Sequence, residues 1–176
     1  MNAWQIKNGL RALILLITRA HPMGFRVLLG ECSPPDSEEI HNMLSALRDD
    51  IDPEMRVDGG GQGVPEAIRL LESEEKFNVV VECAGGWEHI NNVCTEWARH
   101  YSPTWKILIE HSQWATNGFT RIDDSQIQKI ANDNGVSRDT VWRRVREFPG
   151  ELARAILIQP VSKSESIEWD LERQIA

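Results

Sequence analysis

Cysteine is scarce in this chain, and the scarcity is informative. The 176 residues include only Cys32, Cys83 and Cys94, an odd number with no Cys-x-x-Cys pair. That argues against a disulfide framework and for a reducing cytoplasm. Cys83, His89, Cys94 and His100 fall close together, but their spacings match neither a zinc finger nor a zinc ribbon. On a helix, Cys94 and His100 would face different sides, so no metal site is expected.

Catalytic signatures are missing as well. The sequence has no Gly-x-Ser-x-Gly, no His-Glu-x-x-His and no glycine-rich dinucleotide fingerprint. The stretch 49–63 (DDIDPEMRVDGGGQG) is glycine-rich, but its end carries no lysine to reach a phosphate and its local charge is negative. A flexible connection is the better reading. Asp123-Asp124 would suit a metal-dependent nuclease, but directly before an apolar-periodic helix a capping role fits better. No enzyme activity and no cofactor are expected.

Long apolar runs are lacking too. Ala12–Ile17 is too short to span a bilayer, and its flanks, Arg11 and Arg19, come with no credible cleavage site. A buried helix in a cytoplasmic protein, away from any membrane, is expected instead.

Acids outnumber bases, and the net charge is −8. The distribution says more than the sum. Residues 1–30 carry four bases and no acid, whereas residues 31–100 carry 16 acids and 5 bases, a net −11. Residues 101–176 carry 11 acids and 10 bases. The acidic middle would be repelled by phosphates, so it must face away from nucleic acid or towards a basic protein surface. Any DNA affinity should be modest and salt-dependent.

Periodicity predicts mostly helices. Residues 3–20 read as a helix with Trp4, Leu10, Leu13, Ile14 and Ile17 inward, stopped by His21-Pro22. Phe25–Leu29 reads as a strand or buried loop. A helix over 37–49 would bury Ile40, Met43, Leu44 and Leu47, and another over 65–75 would bury Ala67, Ile68 and Leu71. Phe77–Val81 (FNVVV) has the β-branched density of a strand, or of a buried helical segment. Trp87, Ile90, Cys94, Trp97 and Tyr101 recur at three and four, one face of a helix. Ser102-Pro103 opens the next helix, which holds Trp105, Leu108, Ile109 and His111 to Trp114. Thr116-Asn117-Gly118 is a turn. The tryptophans of these two helices are read as core, not as a base-stacking platform.

The most specific stretch is Asp123 to Pro149. Ile127, Ile130 and Ala131 make an apolar seam, with Ala131 small enough for a crossing helix. Gly135 supplies the turn, Val136 an inward plug, and Ser137 a cap for a second helix with Asp139 in its first turn. Val141, Val145 and Phe148 form the inner face of that helix. Ser137, Arg138, Trp142, Arg143 and Arg146 lie outside, and Pro149 ends it. GELARAILI is then one more short helix, and 160–176 a polar tail with Trp169 and Leu171 that orders against a partner.

The run IQKIANDNGVSRDTVWRRV resembles the helix-turn-helix of bacterial and phage transcription regulators, including the sigma-factor region-4 type. The matching residues are Ala131, Gly135, Val136, Ser137, Arg138, Thr140 and Val141; Asn134 departs from the pattern, which prefers an apolar residue there. The resemblance covers roughly thirty residues. It implies double-stranded DNA as partner, with a helix from Ser137 in the major groove. Arg138, Trp142 and Arg143 would reach base edges, with Ser137 and Thr140 beside them, and Arg146 and Lys129 would hold phosphate. It further suggests a phage-encoded late-gene activator or antiterminator working with RNA polymerase, with a homodimer as one expected assembly.

The expected fold is therefore mainly α, a helical bundle with a C-terminal helix-turn-helix and one or two short strands in the N-terminal half. The expected regions are an acidic helical part at 1–85, a helical domain at 86–158 and the tail at 159–176. Rival readings are a protein-interaction module that ignores DNA, and a phage packaging or replication factor using the same motif architecturally.

Overall fold

Local capping sets where the first helix begins. Asn2 accepts a hydrogen bond from the Gln5 amide at 2.9 Å, and the Gln5 side chain accepts one from the Asn2 amide at 3.0 Å. This reciprocal pair satisfies two amides left without partners at the start of α1 (Ala3–Ala20). In the computed structural model, residues 1–49, 70–114 and 122–159 are described. They form eight helices and no strand.

After α1 the chain folds back sharply into α2 (Gly24–Leu28). A Cβ at Gly24 would lie 2.1 Å from the Ile17 carbonyl oxygen, so only glycine permits this approach. Next come α3 (Ser37–Asp49), α4 (Glu74–Cys83), α5 (Gly86–His100), α6 (Ser102–Trp114), α7 (Asp124–Asn134) and α8 (Arg138–Ile158).

Phe25–Leu29, expected as a strand or buried loop, is mostly helical, and FNVVV, expected as a strand or a buried helical segment, is the latter. Residues 24–28 form α2 because distant side chains satisfy its carbonyls: the Asn91 amide donates to Val27 O at 2.8 Å and Leu28 O at 2.9 Å. The Thr95 hydroxyl adds a bond to Leu29 O at 3.3 Å. FNVVV lies within α4, which Ser73 caps through the Lys76 amide at 3.2 Å. Phe77, Val80 and Val81 are buried at helical spacing, and burial overrides the β-branched preference. Residues 70–73, expected as the end of a helix, form a turn in which Leu71 is fully buried. Ala67 and Ile68, the glycine-rich stretch, the turn at 116–118 and the tail from 160 lie outside the described residues, as do the side chains of Leu47 and Trp114.

Two further expectations are corrected. Trp4 points outward and is exposed, whereas Leu10, Leu13, Ile14 and Ile17 are buried as expected. Pro149 does not end its helix, and the segment after it is no separate element, because α8 runs unbroken for 21 residues. An interior proline costs about 3 kcal/mol. Here Phe148, Pro149, Leu152, Ala153 and Ile156 are all buried, and their packing offsets that cost.

Helix α8 is central. It packs against α1, α5, α6 and α7, and α1 also touches α2, α3 and α4. The buried side chains form one cluster that runs from Leu10 through Leu71, Phe77, Val80, Val81 and Ala84 to Ile156. No described helix is long and apolar enough to cross a membrane.

Candidate nucleic-acid interface

The candidate site is built from α7, a three-residue connection and the first half of α8. Asp123 caps α7: it accepts from the Gln126 amide at 2.9 Å, and the Gln126 side chain accepts from the Asp123 amide at 3.1 Å. Hydrogen bonds from the Ser125 hydroxyl and from the Gln126 and Ser125 amides hold the Asp123 carboxyl below its ordinary range. Its oxygens therefore serve the helix start. Among the described residues no group of three or more His, Cys, Asp or Glu is placed to bind a metal.

The connection is a Schellman turn. Gly135 adopts φ 64° and ψ 33°, its amide bonds Asn132 O at 3.3 Å, and the Val136 amide bonds Ala131 O at 3.0 Å. A Cβ on Gly135 would meet nothing within 4 Å, so the left-handed backbone, not space, demands glycine. Val136 is half-buried against the core, and Ile127, Ala131 and Val141 are fully buried where α7 meets α8. Ser137 caps α8 through the Thr140 amide at 3.2 Å, and the two hydroxyls lie 2.9 Å apart. Asn134 ties α7 to α6: its side-chain amide donates to Glu110 Oε2 at 2.7 Å and to Ile130 O at 2.8 Å.

The expected contact residues divide into two groups. Arg138, Arg143 and Arg146 are exposed on α8, and Lys129 is exposed on α7. None of the three arginines forms an ion pair among the described residues. Ser137 is exposed but engaged in capping, and Thr140 is half-buried. Trp142 is half-buried too, packed on the core with its ring edge-on to His111 at 6.1 Å. It lies on the same stripe of α8 as Arg138 and Arg146, four residues from each, but less exposed than they are. Asp139, Glu147 and Glu151 are exposed on the same helix, so the surface is mixed in sign.

Sequence reasoning missed Arg154. It is exposed and continues a stripe through Arg143, Arg146 and Gly150 at spacings of three and four. The signal was the apolar period Val141, Val145, Phe148, Leu152, Ile156, which crosses Pro149 without a break.

An aromatic mount lies beneath. Phe25 meets Trp105 edge-on at 5.2 Å and stacks on Phe148 at 6.1 Å, and Trp105 meets Trp97 at 6.0 Å. These rings join α2, α5, α6 and α8, as expected of tryptophans used as core. Near the C-terminal end of α8, His89 Nε2 donates to Ile156 O at 2.8 Å, a buried bond. Burial, helped by the charge of Arg19, pushes His111 down to about 4. Burial pushes the Cys94 thiol up to about 12, leaving it an inert core residue. Cys83 and His100 are exposed.

The chain matches no protein-family model, no curated protein and no solved structure with which it was compared.

Proposed function

We propose that the chain is a sequence-specific DNA-binding transcription regulator, non-catalytic, in which α7 and α8 act as a helix-turn-helix. One observation carries this reading. A glycine-hinged helix pair with a buried small residue at its crossing presents, from the N-terminal half of its second helix, three exposed arginines that form no ion pair among the described residues. An α-helix fits the major groove, and arginine there recognises guanine through two hydrogen bonds.

In this reading α8 enters the groove by its first turns, with Arg138 and Arg143 at base edges. Arg146 and Lys129 hold phosphates on either side. Trp142 contributes mainly by packing, so its role as a base contact is secondary. The net −11 over residues 31–100 supports a second, protein partner on another face, and RNA polymerase is the candidate that the resemblance suggests. Selection of bound fragments from a random DNA pool tests the reading. It should enrich a defined motif, and Arg138→Ala should relax one position of it by about 1–3 kcal/mol of discrimination. Recovery of unselected sequence would reject specific recognition.

The competing reading, a protein-interaction module, draws support from Asp139, Glu147 and Glu151 among the arginines. It expects no retardation of duplex DNA even at low salt.

A further inference from the structure

Four of the large apolar side chains left exposed collect at one end of the bundle. Gly9 of α1 lies against Val80 of α4, since a Cβ on it would come 2.9 Å from Val80 Cγ2. α4 leads directly into α5, whose His89 bonds the Ile156 carbonyl. At the opposite end of α1, Arg19 is near enough to depress His111, whose ring meets Trp142. Helix α1 therefore runs antiparallel to α8. Met1 and Trp4, 48% and 49% exposed, share an end with Leu157 and Ile158, 38% and 72% exposed.

Trp4 does not stand alone on its helix face. Lys7 and Arg11 follow at three and four residues, on the same stripe, and both are exposed. Neither is ion-paired to a described residue. The result is an aromatic ring beside two cations.

We propose that this stripe is the docking site for the chain's own segment 160–176. That segment begins two residues beyond Ile158, at the same end of the bundle. It alternates apolar and acidic residues: Ile167, Trp169 and Leu171 against Glu168, Asp170 and Glu172. The apolar set complements Trp4, Leu157 and Ile158, and the segment's excess of acids (Glu165, Glu168, Asp170 and Glu172 against Lys163 and Arg173) complements Lys7 and Arg11. Distance permits it. The eight steps from Gln159 to Ile167 reach up to roughly 26 Å, and Trp4 to Arg11 spans about 10 Å of helix. The inference is independent of DNA binding, since the stripe lies on α1.

Hydrogen exchange of the full chain tests it, read by mass spectrometry on peptides covering 160–176. Docking predicts amides of 166–172 exchanging about tenfold slower than in the free peptide. Lys7→Glu with Arg11→Glu should return them to the free rate, while exchange in α8 stays unchanged and reports an intact fold. Free-peptide rates in the unsubstituted chain would overturn the proposal, and so would protection that survives the double substitution. Protection that grows with protein concentration would assign the cover to a second copy and likewise overturn it.

Discussion

The two halves of α8 do different things with one continuous helix. Before Pro149 the helix shows Arg138, Arg143 and Arg146 to its surroundings, and its start is fixed by local bonds in the turn after α7. After Pro149 it is fixed by distant partners: the lengthwise packing of α1 and the His89 bond to Ile156. One half presents and the other anchors. The difference implies that stability and recognition should separate in mutants of the same helix.

The largest effect should come from the anchoring half. Leu152→Ala leaves a cavity in the core, where Leu152 is fully buried, and should lower unfolding free energy by about 3 kcal/mol, read from the urea midpoint. An effect below that of a surface substitution would contradict the anchoring role. Acid should act nearly as strongly. The folded chain holds His111 near 4, against an ordinary 6.5, so between those values the unfolded chain binds a proton that the folded chain refuses. Stability should therefore fall as pH drops from about 6.5 to about 4, by up to about 3 kcal/mol, and His111→Phe should remove that part of the slope. Gly135→Ala comes next. It forces alanine into a left-handed conformation and should cost about 1–2 kcal/mol. Smallest should be Arg143→Ala, which should leave unfolding free energy within about 0.5 kcal/mol while weakening DNA binding. A large loss of stability there would merge the two halves again.

The presenting half was legible in the sequence because its determinants are local. Asp123 reaches Gln126, Gly135 closes on Asn132 and Ser137 reaches Thr140, each within three residues. The misread segments depend on contacts far along the chain. Helix α2 owes its form to Asn91 and Thr95, more than sixty residues away, and no local pattern announces them. FNVVV became helical because α1 and α5 cover it. Pro149 by its own propensity predicts a helix end, but the apolar period on either side outweighs it. Trp4 could have been placed from sequence, since it lies off the angular face shared by Leu10, Leu13, Ile14 and Ile17. Helical content and the turn were therefore accessible from local signals, whereas the length of α8, and with it Arg154, was accessible only from the apolar period that crosses Pro149.

The claim that α8 reads DNA is tested most directly by retardation of duplex DNA across a salt series, comparing the unsubstituted chain with Arg146→Ala. The account predicts retardation at low salt that weakens steeply as salt rises, with a log–log slope shallower by about one in the variant. No retardation by the unsubstituted chain at low salt, or identical slopes for the two proteins, would contradict it.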